Sequence, residues 1–347
     1  MTKALEFGLD TFGDVTTGVD GELLPQPQVI RNVVEEAVLA DRLGIDFFGV
    51  GEHHRRDFAV SAPEVVLAAI AARTSRVRLG SAVTVLSSDD PIRVFQRFST
   101  IDAISNGRAE VILGRGSFIE SFPLFGYDLS NYEELFEQKL DLFSEVASKK
   151  VVNFRGEWRA PLEDQHIYPP IAEGRLKTWI GVGGSPESVI RAVRYDMNLM
   201  LAIIGGDPAR FAPYVELYKK ASKQAGQTAG DVGVHSPGYV AETDEQARRD
   251  LFPHFKKIRD RLGKERGWPP VTEKDFENEI EHGSLYAGSP QTVADKIAKT
   301  VATLGISRFQ MKYSAGPLEH EKLMRSIELF GSSVIPLVHD HRVKAPR

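Results

Sequence analysis

Residues 91–117 are PIRVFQRFSTIDAISNGRAEVILGRGS. Pro91 to Ser105 carries apolar residues at helical spacing and opens on proline, whose missing N–H costs nothing at the first helical position. Ala109 to Leu113 is a short apolar run of the kind found in strands that are buried on both faces of a parallel sheet. The stretch therefore predicts a helix, a tight turn and a buried strand that ends at Leu113.

The same alternation continues outward to both ends of the chain, which predicts about eight repeated strand–helix units. The predicted strands are Leu5 to Asp10, Phe47 to Gly51, Val77 to Leu86, Ala109 to Leu113, Thr178 to Val182, Met197 to Ile204, Val232 to Val240 and Arg308 to Lys312. The clearest other helices are Pro27 to Leu43, Pro63 to Arg73, Tyr132 to Val146, Pro186 to Arg194 and Pro290 to Leu304. We expect one α/β domain over residues 1–347, a (β/α)₈ TIM barrel. An open doubly wound sheet is the alternative, but closure removes the exposed sheet edges.

Two stretches do not fit the alternation of strands and helices and are expected to be insertions. Residues 149–170, after the fourth strand, predict a small hairpin around Arg155-Gly156-Glu157. Residues 263–288, before the eighth strand, are rich in glycine, proline and charge. No internal repeat or long Gly/Ser-rich linker marks a further domain boundary.

Composition narrows the function classes. The chain has 347 residues, 42% of them hydrophobic, a net charge of −5 and no cysteine. Scattered positive charge argues against nucleic-acid binding, and no apolar run reaches the roughly 20 residues of a membrane span. The N-terminal residues lack the pattern of a secretory signal, so a cytoplasmic location is expected. Without cysteine, any redox chemistry must come from a bound cofactor.

Two glycine-containing motifs follow the fourth and fifth predicted strands. Gly114-Arg115-Gly116-Ser117 offers close backbone approach and a guanidinium, which suits a phosphate. Gly181 to Ser188 ends a strand in glycines, including Gly183 and Gly184, and starts a helix with Ser185 as candidate N-cap, which suits an anion. Alone, each motif is equally compatible with a tight turn or a capped helix that binds nothing. Because consecutive strands of a parallel barrel are neighbours, the two motifs together predict a shared phosphate site.

Two further motifs lie at the ends of the second and third strands. Gly51-Glu52-His53-His54-Arg55 has adjacent histidines, but neighbouring side chains on an extended segment point to opposite faces, so no metal site is expected. His53 is interpreted as an acid–base or cofactor-contacting residue, with a structural histidine as the alternative. Gly80-Ser81-Ala82-Val83-Thr84-Val85-Leu86 carries small residues against which a flat ring system can lie, although an ordinary barrel strand explains them equally.

These motifs, in this order, resemble the bacterial-luciferase-like flavin-dependent monooxygenases. The resemblance rests on Glu-His-His after strand two, a Gly-Ser-Ala strand three, and Ile101 to Arg108 followed by Gly114-Arg115-Gly116. The similarity is strong over residues 7–137 and again over 178–193. A third similar stretch begins with Tyr286-Ala287-Gly288-Ser289-Pro290. One departure is Gly184, where the luciferase subunit itself carries an acidic residue, so that contact cannot be carried over.

The resemblance implies a site and an activity. Arg115, Gly116 and Ser117 would hold the phosphate of a flavin together with Ser185 and Ser188, and the Ala82-Val83 peptide, often cis in the family, would support the isoalloxazine. His53 matches the family's active-site histidine. The implied reaction uses reduced FMN and O₂, through a flavin C4a-peroxide, to oxygenate a small organic substrate.

Alternatives from the same resemblance are a deazaflavin-dependent hydride-transfer enzyme and a noncatalytic flavin-binding protein. Because the chain lacks a dinucleotide fingerprint, reduced FMN is expected from a separate NAD(P)H-dependent flavin reductase. The resemblance also implies a homodimer formed through Pro27 to Leu43 and Pro63 to Arg73.

Overall fold

Eight parallel strands close into a barrel in the computed structural model, which describes residues 4–344. The ends of the predicted domain, residues 1–3 and 345–347, lie outside the described residues. The strands, numbered first to eighth here, are Glu6–Thr11, Phe47–Val50, Arg78–Ser81, Ala109–Gly114, Lys177–Val182, Asn198–Ala202, Val232–Val240 and Arg308–Lys312. Each pairs in parallel with the next, and the eighth also pairs with the first, where Glu6 lies opposite Arg308. The predicted closed barrel is confirmed.

Helices surround the barrel and connect its strands. Several begin with proline in the first turn, and the helix Pro91–Ser105 is capped by Asp90, whose side chain accepts the N–H groups of Ile92 and Arg93. The described helices are Gln26–Arg42, Pro63–Ala71, Pro91–Ser105, Ser121–Phe125, Tyr132–Ser148, Pro186–Arg194, Ala212–Gln224, Asp244–Arg266, Glu273–Glu281, Pro290–Leu304, His320–Leu329 and Ile335–Lys344. Within residues 4–344, none of them combines the length and apolar character that crossing a membrane requires.

The third strand differs from its prediction. The sequence predicts one strand from Val77 to Leu86, whereas the structure has Arg78–Ser81, a cis peptide between Ala82 and Val83, a two-residue strand Thr84–Val85, and a 3₁₀ turn from Leu86. The prediction of a single strand is wrong because the Val85 N–H donates to the Glu52 carboxylate at 2.9 Å instead of continuing the ladder beside the second strand. The composition of the stretch does not reveal that the Glu52 side chain competes for this backbone N–H.

The two predicted insertions have different structures. Within 149–170, Val152–Phe154 and Leu162–Gln165 form the expected antiparallel hairpin. The segment 263–288 is more regular than its composition indicates: it holds the end of the helix Asp244–Arg266, the helix Glu273–Glu281, and a strand, Tyr286–Gly288, that pairs with the seventh barrel strand. Glycine and proline there separate short elements, and Thr272 starts the second helix with a capping box.

Alternation along the strands divides the apolar residues between two cores. Outward-facing residues such as Phe48 and Val111 join the large core between barrel and helices. Inward-facing Phe47, Ile112 and Trp179 form a separate small cluster inside the barrel with Ala82 and Met200. The barrel is therefore filled at mid-height, and its mouth at the carboxyl ends of the strands is where a ligand has room.

The lower part of the barrel holds a buried ion pair. Arg308 donates to both carboxylate oxygens of Glu110, at 2.8 and 2.9 Å, and both residues are fully buried. The Trp179 indole donates to the same carboxylate at 2.8 Å, and Arg308 also donates to Glu6 at 2.8 Å. Burial on its own raises the pKa of Glu110, but the charge and hydrogen bonds of Arg308 outweigh burial and lower that pKa to about 2.

Candidate active site

Small residues line the half of the barrel mouth formed by the second to fifth strands. A Cβ added at Gly51 would lie 2.7 Å from the carbonyl oxygen of Ala82 and 2.4 Å from the Phe12 ring. One added at Gly114 would lie 2.7 Å from the Val83 side chain. Both glycines are therefore required for the backbone around the Ala82-Val83 peptide to approach its neighbours, and the arrangement leaves a surface without bulky side chains.

The Ala82-Val83 peptide is held from the second strand. The Ala82 N–H donates to the Val50 carbonyl at 2.9 Å, and the Val83 carbonyl accepts from the Glu52 N–H at 3.3 Å. Glu52 is buried, and its carboxylate accepts from the Val85 N–H and contacts the His54 ring at 2.9 Å. The cis peptide that the resemblance implies is present at this position. Glu52, which the sequence analysis did not single out, holds the backbone on the C-terminal side of this peptide through both its N–H and its carboxylate.

The loop after the fifth strand presents free backbone to solvent. Gly183 and Gly184 are exposed, no heavy atom lies within 4 Å of a Cβ built at Gly183, and Gly184 has a φ of +121° that favours glycine. Ser185 caps the helix Pro186–Arg194 by accepting from the Ser188 N–H at 3.3 Å, as predicted. The loop is therefore an open helix N-terminus of the kind that binds anions.

Arg115 and Ser185 lie at the ends of two paired strands and are joined by a chain of contacts. Arg115 forms an ion pair with Glu133 in the helix Tyr132–Ser148. The other carboxylate oxygen of Glu133 lies 3.2 Å from the guanidinium of Arg191, which also donates to the Ser188 hydroxyl at 3.1 Å. Ser188 in turn contacts Ser185. The structure thus brings together the two motifs that the sequence places after neighbouring strands.

Gly116 and Ser117 form the outer part of the loop after the fourth strand. Gly116 has a φ of +82°, and its carbonyl accepts from the Tyr132 hydroxyl at 2.8 Å. Ser117 is exposed, and its carbonyl accepts from the Arg266 guanidinium at 3.4 Å. This loop is consequently fastened both to the helix that carries Glu133 and to the helix that ends near the second insertion.

His53 lies among aromatic rings at the mouth. The centroid of its imidazole is 4.3 Å from Phe12, 4.5 Å from Phe58 and 5.3 Å from Phe118. Its Nδ1 atom is buried and has no hydrogen-bond partner within the described residues. The adjacent His54 points elsewhere, towards Glu52 and Phe125. His53 therefore has free hydrogen-bonding capacity at the mouth.

The pKa of His53 is strongly lowered. Burial is the largest cause; the Asp14 carboxylate opposes it and the Lys312 charge adds to it, so that the pKa falls to about 3. Because the unfolded chain protonates this ring near pH 6.5 and the folded protein does not, His53 makes the protein less stable as the pH falls from about 6.5 to 3. At neutral pH the imidazole is uncharged.

We expect the ring protons of His53 to keep a constant NMR chemical shift between pH 5 and 8. The reason is that a ring with a pKa of about 3 does not titrate in this range. Free imidazole added to the same sample provides the titrating reference. A sigmoidal shift of the His53 signals with a midpoint near 6.5 would contradict this description of the site.

Arg55 links a loop to a helix beside the mouth. Its guanidinium lies 2.6 Å from Glu120, in the loop after the fourth strand, and 2.6 Å from Glu265, in the helix Asp244–Arg266. It also lies 4.5 Å from the centre of the Phe118 ring, which in turn contacts His53. These contacts hold an aromatic cover over the histidine and limit the access of water to it.

The family follows from comparison of the whole chain with known families. A model described as luciferase-like monooxygenase matches residues 11–308. The chain belongs to the luciferase-like monooxygenase family. The match contains six complete barrel strands, the second to the seventh, with the last residue of the first strand and the first residue of the eighth, so it includes both glycine motifs and His53. The predicted family and the predicted class of oxidoreductase are confirmed.

Relatives of this luciferase-like chain include several monooxygenases. It is 29% identical to limonene 1,2-monooxygenase of Rhodococcus erythropolis over 218 residues, which cover 61% of this chain and 55% of that protein. It is 23% identical to the alkanal monooxygenase alpha chain of Photorhabdus laumondii, covering 95% of this chain and 98% of that one.

Solved structures share the fold of this family member over nearly its whole length. Monooxygenase RslO1 from Streptomyces bottropensis has a TM-score of 0.82 at 21% identity, covering 96% of this chain and 99% of that one. The oxygenating constituent of 3,6-diketocamphane monooxygenase of Pseudomonas putida, in complex with FMN, has a TM-score of 0.75 at 20% identity. The comparison covers 96% of this chain and 98% of that one. The coenzyme F420-dependent tetrahydromethanopterin reductase of Methanopyrus kandleri has a TM-score of 0.70 at 17% identity, covering 96% of this chain and 99% of that one.

Sequence reasoning missed three parts of this luciferase-like site. Glu133 lies in the first turn of the helix Tyr132–Ser148 and Arg191 inside the helix Pro186–Arg194, positions where charged residues are ordinary, so their types do not mark them as site residues. Glu52 is part of a quoted motif, but its role depends on a backbone N–H 33 positions away. The signal that the sequence does offer is that Glu133 and Arg191 are charged residues in helices that follow the two glycine motifs.

Proposed function

We propose that this protein is a monooxygenase that uses reduced FMN and O₂ to oxygenate a small organic substrate. The observation that carries the proposal is the position of two phosphate-type donor sets, at Arg115 and at Ser185, on adjacent strand ends beside a mouth lined with small residues. Membership of a monooxygenase family and the FMN complex of a protein with the same fold support the choice of cofactor.

The residues present fit a phosphate. Two guanidiniums, from Arg115 and Arg191, converge on the carboxylate of Glu133, whose side chain is 56% exposed. A phosphate carries the same sign of charge and more acceptor oxygens, and can replace that carboxylate at both guanidiniums. The exposed amides of Gly183 and Gly184 and the hydroxyls of Ser185 and Ser188 complete the donor set.

The ring system would lie towards the barrel axis from this phosphate site. Ala82 and Val83 would support it, because the glycines beside them let the backbone pack closely and place no side chain over the peptide. When bound, reduced FMN would supply the electrons that activate O₂. The uncharged His53 ring would offer its unpartnered Nδ1 as a hydrogen-bonding and proton-transfer group, and the aromatic cover would exclude water from the reacting atoms.

Titration of the purified protein with FMN, riboflavin and coenzyme F420 tests this proposal. Quenching of Trp158, Trp179 and Trp268 fluorescence reports binding. We expect FMN to bind more tightly than riboflavin, which shares the ring system but lacks the phosphate, and oxygen consumption to follow when reduced FMN and a substrate are present. Preference for coenzyme F420 without oxygen consumption would support the hydride-transfer alternative, and flavin binding without turnover would indicate a noncatalytic flavin-binding protein.

Replacement of Arg115 with alanine is expected to weaken FMN binding by about 10-fold to 100-fold, because a charge-assisted hydrogen bond contributes about 1.5–3 kcal/mol. Riboflavin binding should be unchanged by the same substitution. Fluorescence titration measures both affinities. Arg155→Ala is the matched control, since the Arg155 side chain lies in the hairpin and is 80% exposed. Equal losses for FMN and riboflavin would show that Arg115 does not act through the phosphate.

Two further proposals concern partners. We propose that a separate NAD(P)H-dependent reductase supplies the reduced flavin, and that the protein forms a homodimer through the helices Gln26–Arg42 and Pro63–Ala71. Val65, in the second of these helices, is an apolar side chain with 70% exposure, which supports an interface there. Size-exclusion chromatography of the wild type and of Val65→Glu would test the dimer.

A further inference from the structure

A polar cluster faces the barrel interior on the side opposite the small residues. Asp10, His235 and Gln310 come from the first, seventh and eighth strands, which are neighbours in the barrel. One carboxylate oxygen of Asp10, Oδ2, contacts His235 Nδ1 at 2.9 Å and accepts from the Gln310 amide at 2.8 Å. These three residues belong to none of the sequence motifs described above and are not part of the proposed flavin site. We name them the acceptor cluster.

Two oxygens of the acceptor cluster have no hydrogen-bond partner among residues 4–344. Asp10 Oδ1 and Gln310 Oε1 are buried without a hydrogen bond, and both residues are fully buried. Buried polar atoms are nearly always hydrogen-bonded, so unpaired ones need a partner that is not part of the chain. Both atoms are acceptors, which means that the missing partner is a hydrogen-bond donor.

The hydrogen bonds within the acceptor cluster determine which atom of His235 remains free and whether that atom donates or accepts. The same Asp10 oxygen accepts from the Gln310 amide, and with His235 Nδ1 as the second donor to it, the Nε2 atom of His235 is left as an acceptor. The Gln310 amide donates to Asp10 through its NH₂ group, which directs its oxygen away from that carboxylate. All the free atoms of the cluster are therefore acceptors.

The acceptor cluster has an aromatic neighbour, and the lysine on the same strand as Gln310 is already paired. The Phe12 ring lies 6.2 Å from the His235 ring and nearly parallel to it, and it separates His235 from His53. Lys312, the nearest basic residue along the eighth strand, is engaged by Asp14 at 3.0 and 3.1 Å. A ligand for this place thus combines an apolar body with a donor group.

We propose that the acceptor cluster binds a hydroxyl group of the substrate, and that the protein acts on an otherwise apolar alcohol or phenol. This proposal rests on the proposed function, since the substrate is expected in the same mouth as the flavin. A site built to accept from a hydroxyl discriminates against an analogue without the donor, because its buried acceptors then remain unpaired. The cluster is accordingly a specificity determinant that faces the flavin site across the barrel axis.

Binding of cyclohexanol and cyclohexanone to the flavin-free protein tests the proposal. The two compounds have the same ring and differ in that only the alcohol donates a hydrogen bond. We expect the wild type to bind cyclohexanol at least about tenfold more tightly, as measured by saturation-transfer NMR titration. Because ligand binding is measured without flavin, failure of FMN to bind would contradict the proposed function but would leave this result standing.

Asp10→Asn provides the decisive variant. The donors of His235 and Gln310 both point at one position, so the asparagine oxygen must occupy it, and its NH₂ group replaces the unpartnered acceptor. We expect this variant to lose the preference for cyclohexanol and to favour cyclohexanone. Asp20→Asn, at an exposed position, is the matched control and should retain the wild-type preference.

Gln310→Met gives an independent check, should Asp10→Asn not fold. It removes one acceptor at similar side-chain volume and is expected to reduce the preference for the alcohol without creating one for the ketone. Equal affinity of the wild type for both compounds, or an unchanged preference in both variants, would overturn the proposal. Such a result would mean that water alone satisfies the cluster.

Discussion

Replacing Arg308 with methionine is expected to lower the free energy of unfolding by about 3–5 kcal/mol, because it leaves a buried carboxylate without its partner. Arg308 forms two hydrogen bonds to Glu110, and neither residue is exposed. The remaining cations near Glu110 are Lys177 at 3.7 Å and Arg78, whose side chains are partly exposed. They compensate only part of the lost interaction, so urea denaturation should show a large shift of the midpoint at pH 7.

The double substitution Glu110→Leu with Arg308→Met should recover most of this loss, since it removes both buried charges and leaves apolar side chains of similar size. Arg325→Met is the control for the loss of an arginine. Its ion pair with Glu242 joins two side chains that are about half exposed, and surface pairs contribute about 0–1 kcal/mol. A loss below about 1 kcal/mol for Arg308→Met would show that the buried pair does not stabilise the barrel.

Replacing His53 with asparagine is expected to lower substrate-dependent turnover by about 10²-fold to 10⁴-fold, the usual contribution of a positioned proton-transfer group. Asparagine retains a polar side chain in the aromatic surroundings but cannot transfer a proton. FMN affinity should remain within about twofold, because the phosphate donors at Arg115 and Ser185 do not involve this ring. Turnover is measured as substrate-dependent oxygen consumption with reduced FMN.

His282→Asn serves as the control for this substitution, since the His282 side chain is 73% exposed and lies at the end of the helix Glu273–Glu281. It should have the activity of the wild type. Wild-type turnover in His53→Asn would remove the residue from the reaction. Parallel loss of FMN binding and turnover would instead assign His53 a role in cofactor binding.

The barrel was predictable from sequence because each strand–helix unit has its own local signal. Buried strands such as Phe47–Val50 are continuous apolar runs, and proline and N-cap residues mark the starts of helices such as Pro186–Arg194. Neighbouring strand ends then follow from topology, which is why Arg115 and Ser185 could be placed together without coordinates.

What the sequence did not reveal depends on contacts between distant positions. Glu133 and Arg191 belong to two different helices, and they meet only because those helices follow adjacent strands. Asp10 and Gln310 are 300 positions apart and become neighbours only when the eighth strand closes on the first. The break in the third strand likewise comes from the Glu52 side chain, which competes for a backbone N–H.

A crystal structure of the protein soaked with FMN would show directly whether the two loop ends hold the phosphate. We expect the phosphate between the Arg115 guanidinium and the backbone amides of Gly183 to Ser185, with the ring system against the Ala82-Val83 peptide. We also expect Glu133 to have moved away from at least one of the two guanidiniums. FMN bound away from these loop ends, or a phosphate in contact with neither Arg115 nor Ser185, would contradict the proposed cofactor site.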